Sequence, residues 1–396
     1  MTRIEETPGA GPIRRAGETD KPPVSGARRL IAAVDERLGL DAIRYPVPEH
    51  ANNLAWSLGG LTAVCLAVLI VTGIVLAQFY NPTPEVANAS VRYIVEQIAL
   101  GRFTRALHFW TAQAMYVLAA LHLIRVFFHG SYKRPREANW LIGVSMFGLT
   151  FLALFTGTVL KWDQEAYEAL GHNLEGAQLL GGAGFWFSPE FAKNTPILVR
   201  LYAAHVMLIP VLLLVLVTLH ALLIKKHRIS PHPALPTTAV PRGPAPLDAG
   251  QTTVTVNDTA GSAPAETFIE PTEPFTAHLR RVASFGLVLL AGLSVLAVLF
   301  PPAVGPTPVA GIEVTKPLWV YWWMFTLENW FGLPAILWGA GALFGLLVLL
   351  PFIDRGPARS WRARPIAMSL GALILVAYLV LTVLMLFTSP AEHLGM

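Results

Sequence analysis

The sequence contains seven apolar runs, each about as long as a lipid bilayer is thick, and this feature restricts the fold more than any other. A hydrocarbon core of about 30 Å requires roughly 20 apolar residues in helical conformation. Only helices and closed barrels span a bilayer, and these runs lack the alternation of barrel strands. We therefore predict an all-α integral membrane protein. The predicted spans are Leu54–Tyr80, Thr104–Phe128, Trp140–Leu160, Ile197–Ile224, Phe285–Phe300, Pro334–Phe352 and Ile366–Thr388.

The composition agrees with a membrane location and narrows the chemistry. Of the 396 residues, 54% are hydrophobic and only 14% are charged, against about 25% charged residues in soluble domains. This excludes a water-soluble enzyme, and a net charge of +4 gives no reason to expect nucleic acid as a partner. Cys65 is the single cysteine, so this chain alone cannot hold a disulfide, a cysteine zinc site or an iron–sulfur cluster. Eleven histidines remain as candidate ligands.

Lysine and arginine residues are unevenly distributed between the loops, and this bias sets the orientation. With a cytoplasmic N-terminus, the inner segments hold 21 of these residues and the outer segments hold 5. We expect a protein of a bacterial-type cytoplasmic membrane with its N-terminus in the cytoplasm and its C-terminus outside. Residues 1–53 contain no apolar segment of the kind found in signal peptides, so the first span is expected to direct insertion.

The chain divides by composition into four parts. Residues 1–53 form a polar cytoplasmic segment, and residues 54–229 contain four spans that predict a four-helix bundle. Residues 230–275 are rich in Pro, Thr and Ala, which is typical of a flexible linker. Residues 276–396 contain three further spans. No internal repeat is visible, which weighs against an inverted-repeat transporter.

Four histidines lie inside two of the spans, where ionisable side chains are costly and usually functional. His108 and His122 in the second span are 14 residues apart, which is about 21 Å along a helix and returns to nearly the same face. His205 and His220 in the fourth span are 15 apart, which rotates the face by about 60° unless Pro210 bends or locally unwinds the helix. Both spans run from outside to inside, so His108 is level with His205, and His122 with His220.

These two layers predict two bis-imidazole sites stacked across the membrane. Two opposed imidazoles suit a six-coordinate haem iron that transfers electrons. Zinc would require four ligands, or three and a water, and no carboxylate or thiol accompanies these histidines. The alternative interpretation is a set of polar side chains that hydrogen-bond between helices. Four histidines at matched depths favour a four-helix haem-binding bundle, with three further transmembrane helices beside it.

Glycine and arginine residues recur near the depths of the histidines. Two pairs of glycines, each 14 residues apart, would leave space for a flat macrocycle, although ordinary helix packing also uses glycine. Three arginines within the spans would each place a guanidinium near a haem propionate, and their alternative role is to reach the membrane interface. The glycines are Gly59, Gly73, Gly143 and Gly157, and the arginines are Arg105, Arg125 and Arg200.

Six short stretches are shared with a known family. They are Leu58-Gly59-Gly60, Arg105-Ala106-Leu107-His108, His122-Leu123-Ile124-Arg125, Lys133-Arg134-Pro135-Arg136-Glu137, Trp162-Asp163-Gln164 and Arg200-Leu201-Tyr202-Ala203-Ala204-His205. Through them, residues 45–230 resemble the cytochrome b family, and more closely its split, chloroplast-type form, cytochrome b6. The spacing of 15 residues between the second pair of histidines is that of the chloroplast-type branch. Residues 275–388 resemble subunit IV, the partner chain of that form, here fused through the linker.

The resemblance implies the cofactors and partners. His108 and His205 would ligate an outer, lower-potential haem b, and His122 and His220 an inner one. Quinol would be oxidised near the outer face, with one electron passing to a high-potential partner and the other crossing inward to a quinone site. The implied partners are quinol and quinone, a Rieske iron–sulfur protein or c-type cytochrome subunits, the lipid membrane, and a second copy in a dimeric multisubunit complex.

The resemblance also implies a role for Cys65. In the chloroplast-type branch a cysteine of the first span holds an additional haem through one thioether bond, near the inner side of the membrane. Cys65 is the candidate for this third, covalent haem. The alternative is that it is a small buried hydrophobic residue.

The resemblance fails at the outer quinol site. The family motif Pro-Glu-Trp-Tyr corresponds to Pro317-Leu318-Trp319-Val320, which lacks the acid that receives a quinol proton. The family's Pro-Trp-Asp-Gln begins here with Lys161. Either another acid accepts the proton, or quinol is not oxidised there in the usual way. Asp163 is the leading substitute, with a helix cap as its alternative role, and Glu165 is the next. The remaining candidate acids are Glu168 and Glu328.

We therefore predict a di-haem cytochrome b subunit of a bc-type quinol oxidoreductase. A related alternative is a di-haem, quinone-linked membrane anchor that exchanges electrons with a multihaem cytochrome instead of a Rieske protein. An alternative of another class is a transporter whose intramembrane histidines relay protons.

Overall fold

The computed structural model describes residues 45–231, 239–241, 251–256 and 266–388, with five isolated positions before residue 45. Most of the predicted N-terminal segment 1–53 lies outside these residues. Seven of the described helices are long and apolar enough to cross a membrane, which confirms the predicted class. The helices are α1 (Leu54–Ala77), α2 (Ala87–Glu96), α3 (Gly101–Phe128), α4 (Glu137–Leu160), α5 (Gln164–Leu179), α6 (Ile197–His227), α7 (Phe275–Leu299), α8 (Trp322–Phe331), α9 (Pro334–Ile353) and α10 (Pro365–Leu384).

The long helices match the predicted spans, with one large difference at the fifth. The apolar run begins at Phe285, but α7 begins ten residues earlier, directly after Pro274. Its first turns carry His278, Arg280 and Arg281. These polar residues continue the helix without being apolar, so hydropathy alone could not detect them. The shorter helices α2, α5 and α8 connect the long ones and were not predicted.

Helices α1, α3, α4 and α6 form the bundle that holds the four histidines. α1 packs along α3, α4 packs along α6, and α3 contacts α4. α1 begins at Asn53, whose side chain accepts a hydrogen bond from the backbone N–H of Trp56, as an N-cap should. Between the two histidine layers the bundle is filled by a buried apolar cluster that includes Cys65, Met115 and Ile209.

Helix α6 contains one wide turn between its two histidines. Residues 204–208 are π-helical, and Pro210 follows directly. A π-helical turn accommodates one extra residue compared with the regular helix. The 15-residue spacing of His205 and His220 therefore covers the rotation that 14 residues cover in α3. This is the local unwinding that was expected near Pro210.

The C-terminal helices pack against the bundle. α7 lies against α1 and α3, α9 contacts α4 and α5, and α8 packs between α9 and α10. The approach of α7 is close, because a Cβ at Gly60 would lie 2.9 Å from the side chain of Val282. Residues 45–396 cluster as one unit by their contacts, so the predicted four-helix and three-helix parts share one packed interior.

A buried ionic junction joins the two halves at the end of the bundle near His122. Lys133 Nζ lies 2.7 Å from Asp354 Oδ1, and Arg364 Nη1 lies 3.1 Å from Asp354 Oδ2. Arg364 also donates to the carbonyl oxygens of Phe127 and Phe128 at 2.9 and 2.8 Å, and so closes the C-terminal end of α3. Because this carboxylate is paired with two cations, the junction is electrostatically compensated.

The segment 230–275 contains more regular structure than a flexible linker. Strands β3 (Gln251–Val256) and β4 (Glu266–Glu273) pair antiparallel, β2 (Ala239–Pro241) pairs with β3, and β1 (Val47–Pro48) pairs with β4. The Pro, Thr and Ala content of this segment predicted a flexible linker. However, Thr and Val at five of the six positions of β3 favour extended backbone. The rest of this segment lies outside the described residues.

Candidate cofactor sites and the polar end of the bundle

Two pairs of histidine rings face each other inside the bundle. The ring centroids of His108 and His205 are 6.3 Å apart, with an interplanar angle of 60°. Those of His122 and His220 are 6.5 Å apart, with an angle of 72°. The fold therefore brings the four histidines together in the two pairs that their spacing predicted.

Each of the four glycines lies against one histidine ring. A Cβ at Gly59 would be 3.0 Å from His122 Cε1, and one at Gly157 would be 3.0 Å from His205 Cε1. The corresponding distances are 3.3 Å between Gly73 and His108, and 3.9 Å between Gly143 and His220. Glycine was expected to make room for a macrocycle. The contact that the structure gives is with the imidazole, which the missing side chain allows to approach the neighbouring helix.

The two pairs differ in what holds the far side of each ring. Thr72 Oγ1 lies 2.8 Å from His108 Nδ1, and Thr156 Oγ1 lies 2.9 Å from His205 Nδ1. Each hydroxyl donates its own proton to a carbonyl one turn earlier in its helix. It therefore accepts from the Nδ1–H of the imidazole, which leaves Nε2 bare to face the opposite ring.

The other pair lacks this arrangement. The Nδ1 atoms of His122 and His220 are buried without a hydroxyl partner. Sequence analysis did not identify Thr72 and Thr156 as partners of the histidines, although the sequence contains a pattern that indicates them. Thr72-Gly73 and Thr156-Gly157 are the same dipeptide, whereas leucine and isoleucine precede the glycines of the other pair.

The ring separations fit axial ligation of one ion by two imidazoles. A metal-bound histidine nitrogen lies about 2 Å from the ion and about 1.1 Å from its own ring centroid, so two opposed ligands place their centroids about 6.2 Å apart. Among the described residues no group of three or more His, Cys, Asp or Glu side chains could hold a metal ion. Two protein ligands on opposite sides fit a haem iron, whose macrocycle supplies the other four.

The three arginines of the spans have different partners. Arg105 donates to the carbonyl oxygen of Pro302 at 2.7 Å, and Arg200 donates to that of Ser188 at 3.0 Å. Arg125 lies over the ring of Trp56, with its guanidinium carbon 3.4 Å from the centroid. Its Nε is buried without a hydrogen-bond acceptor among the described residues. The Nε of Arg200 is also buried without an acceptor in the part of the chain that the structure describes, but its two terminal nitrogens donate to the carbonyl oxygens of Trp186 and Ser188. Arg125 is therefore the arginine whose surroundings best fit an anionic group such as a propionate.

Cys65 lies in the apolar interior of the bundle. The side chain is 1% exposed and packs with Leu66, Met115, Ile209 and Leu213. It lies six residues beyond Gly59, which contacts His122, and eight before Gly73, which contacts His108. This position is between the two histidine layers. The structure supports the buried hydrophobic role.

The polar residues at the start of α5 bind the loop that enters the C-terminal half. Asp163 is the N-cap of α5: Oδ1 accepts from Ala166 N at 3.1 Å, and Oδ2 accepts from Gly305 N at 2.9 Å. Glu168 accepts from the backbone N–H groups of Val314 and Thr315 at 3.0 and 2.9 Å. Both carboxylates are buried and are used to fix residues 305–315. For Asp163 this favours the helix-cap role over proton acceptance.

Glu165 is engaged with a cation. It forms an ion pair with Lys161, four residues before it. Burial raises the pKa of Glu165, and the Lys161 ammonium opposes this increase. Proton acceptance by Glu165 would break the ion pair, so the structure does not favour this second candidate either.

The segment that corresponds to the family's quinol motif lies against α3. Trp319 Nε1 donates to Gln113 Oε1 at 2.8 Å, and Gln113 is five residues after His108. Tyr321 donates its hydroxyl proton to the carbonyl of Phe151 in α4 at 2.9 Å. The segment around Leu318 is thus held between α3 and α4, on the His108 side of the apolar cluster of the bundle.

These features define a class of protein: a transmembrane helical bundle that places two bis-histidine sites at two depths. The description of the family model that matches residues 42–228 is cytochrome b/b6/petB. The chain is 36% identical over 194 residues to cytochrome b6 of Heliomicrobium gestii, covering 48% of this chain and 91% of that one. The chain belongs to the cytochrome b/b6 family.

Two further comparisons extend this result. The chain is 35% identical over 218 residues to the menaquinol:cytochrome c reductase cytochrome b subunit of Geobacillus thermodenitrificans, covering 51% of this chain and 97% of that one. A solved chain titled hyperthermophilic respiratory Complex III has a TM-score of 0.71 and 22% identity, covering 91% of this chain and 92% of that chain. The structural match includes the C-terminal helices, so the fold of both halves occurs together in a known chain.

Proposed function

We propose that this protein is the di-haem cytochrome b subunit of a bc-type quinol oxidoreductase. The observation that carries the proposal is the pair of facing imidazoles at each of two depths, with ring centroids 6.3 and 6.5 Å apart. Similarity to a menaquinol:cytochrome c reductase subunit supports quinol as the substrate class and a c-type cytochrome partner.

His108 and His205 would hold one haem b and His122 and His220 the other. When bound, the haems supply a path for single electrons across the bilayer. The chain's own contribution is to fix the imidazoles: glycines admit the rings, and the threonine hydroxyls orient His108 and His205. With the lysine and arginine bias setting a cytoplasmic N-terminus, the His108–His205 pair is the outer one. Asp163, Gln164 and Glu168 position the loop that precedes the Leu318 segment.

The proposal includes two haems and no covalent third one, because Cys65 is enclosed between the layers. A denaturing gel stained for haem should therefore show no signal on this chain. The proposed partners are quinone, a Rieske iron–sulfur protein or c-type cytochrome subunits, and a second copy in a dimeric complex. The related alternative, exchange of electrons with a multihaem cytochrome, is favoured by one observation: Leu318 replaces the acid of the usual quinol motif.

The proposal is tested with the complex purified from native membranes through a tag on this chain. A short-chain menaquinol should reduce b-type absorption bands and drive reduction of added cytochrome c. Reduction of the bands without an iron–sulfur signal in electron paramagnetic resonance would favour the multihaem alternative. A complex without b-type bands would contradict the redox function and leave the proton-relay transporter.

A further inference from the structure

A second polar cluster lies between α5 and α8, beyond the residues that fix the loop. His172 Nε2 is 3.0 Å from a carboxylate oxygen of Glu313 and 3.3 Å from one of Glu328. The side chains of His172, Glu313 and Glu328 are 5%, 8% and 0% exposed. These three residues, here called the His172 cluster, are outside the seven spans and outside the two histidine pairs.

Hydrogen bonding defines how the imidazole of this cluster can act. His172 Nδ1 is 2.8 Å from the carbonyl oxygen of Glu168, so Nδ1 carries a proton and donates it. Nε2 is then the only ring atom that can exchange a proton, and it faces two carboxyl groups. Because Nδ1–H is already used as a donor, a bare Nε2 can take up a proton from one of these acids and pass it to the other.

The charges around Glu328 favour retention of a proton. Burial raises the pKa of Glu328 to about 8, and the nearby carboxylates of Glu313 and Glu175 add to this increase. Two carboxyl groups that share one buried site are not easily ionised at the same time, because their negative charges repel each other. A pKa close to the working pH suits a group that accepts and releases protons.

The position of the cluster connects it to the altered quinol motif. α8, which carries Glu328, follows directly after the Pro317–Val320 segment, and the ring of Phe325 packs on His172 with centroids 4.8 Å apart. The other acids of this end are engaged: Asp163 and Glu168 accept backbone hydrogen bonds, and Glu165 is paired with Lys161. In contrast, the carboxylate oxygens of Glu328 accept no hydrogen bond within the described part of the chain, and Oε1 faces His172 Nε2 at 3.3 Å.

We propose that Glu328 is the proton-accepting group for quinol oxidation in this protein, and that His172 passes the proton to Glu313. This inference rests on the proposed function. Each quinol loses two electrons to one-electron carriers and two protons. One of these protons is released at the outer side with the electron that passes to the high-potential partner, and the other is taken by the ionised Glu328 carboxylate. It then moves to His172 Nε2 and on to Glu313, which is the more exposed of the two acids. The His172 cluster thus supplies the carboxylate that is absent at position 318, where the family motif has an acid and this chain has Leu318.

The test uses the purified complex with short-chain menaquinol and cytochrome c. In wild type the rate should rise between pH 6 and 8 as Glu328 ionises. Glu328→Gln should lower the rate at pH 8 about 10- to 100-fold, toward the low end of what a general base contributes, and should flatten this rise. Glu328→Asp should retain the pH dependence with a smaller loss. The matched control is Glu190→Gln, which alters an exposed acid of the α5–α6 connection.

A second measurement tests whether Glu328 carries a proton, and it does not depend on turnover. Infrared difference spectra of wild type should contain a protonated carboxyl band at pH 7 that disappears as the pH rises through about 8, and Glu328→Gln should lack it. Wild-type rates and pH profile in Glu328→Gln, or an unchanged carboxyl band, would overturn the proposal. If wild type itself does not oxidise quinol, the proposed function fails, and the infrared band still decides whether Glu328 holds the proton.

Discussion

The two histidine layers have almost the same ligand separation but different surroundings. In both, the ring centroids lie slightly more than 6 Å apart. In the His108–His205 layer each ring donates to a threonine hydroxyl, whereas the rings of the His122–His220 layer have no hydroxyl partner. A half-buried arginine, Arg125, stacks on Trp56 one turn beyond His122.

This difference separates two properties of a cofactor site. The ligand separation is set by the helices, through the 14-residue repeat of α3, the wide turn of α6 and the glycines that admit the rings. The character of each ligand is set by its neighbours, because a hydrogen bond at Nδ1 fixes the tautomer and makes Nε2 more basic. Two sites of equal geometry can therefore differ in redox potential.

The largest expected effect is the selective loss of one haem when a ligand is removed. His122→Ala should abolish the haem of its own layer and leave the other, because the layers share no ligand. His205→Ala should abolish the opposite haem. Low-temperature absorption spectra of the two variants, with a redox titration of the haem that remains, measure this selectivity.

The matched control for the ligand variants is His227→Ala, at the end of α6 and outside both pairs, which should retain both haems. If His122→Ala and His205→Ala remove the same absorption band, the pairing described here is wrong.

Substitution of the glycines should have a smaller effect on haem binding. The loss should be larger where the added methyl group would lie closer to the histidine ring. Gly59→Ala places a methyl group 3.0 Å from His122 Cε1, which is too close without a shift of the ring, and should lower haem occupancy in that layer several-fold. Gly143→Ala places it 3.9 Å from His220, an ordinary contact, and should retain haem near the wild-type level. The haem content per chain of the two variants checks the order, and equal losses would show that close approach of the rings is not what these glycines provide.

The smallest effect should come from the threonines. Thr72→Val or Thr156→Val removes the hydroxyl but keeps the shape of the side chain, so both haems should remain bound. Loss of the hydrogen bond makes the imidazole less basic, which should raise the midpoint potential of the haem in the His108–His205 layer only. Thr150→Val in α4, whose hydroxyl donates only to Met146, is the control. Unchanged potentials in both variants would show that the two layers are not distinguished by these contacts.

Much of the bundle could be predicted because its determinants are local. The apolar runs give the spans, and the histidine spacing gives the two layers. Pro210 indicates the irregular turn that aligns His205 with His220. Each of these features depends on residues of one helix and on the 3.6-residue period.

The rest depends on contacts between distant parts of the chain. His108 and Thr72 are 36 residues apart, and Glu168 and Thr315 are 147 apart. Hydrophobic periodicity along the sequence gives no information about such distant pairs. The resemblance and the location in the sequence suggested proton acceptance for Asp163 and haem attachment for Cys65. The structure shows Asp163 as a helix cap and Cys65 packed among apolar side chains, and both sets of contacts depend on the tertiary fold. Glu328 was a minor candidate because only the fold places His172 beside it.

We propose that each chain holds two haems b, each between one histidine of α3 and one of α6. The most direct measurement is the haem content of the purified protein by the pyridine haemochrome method, set against protein concentration by amino-acid analysis. We expect two non-covalent haems b per chain in the wild type and one in His122→Ala. A wild-type value of one or none, or a value unchanged by the loss of His122, would contradict it.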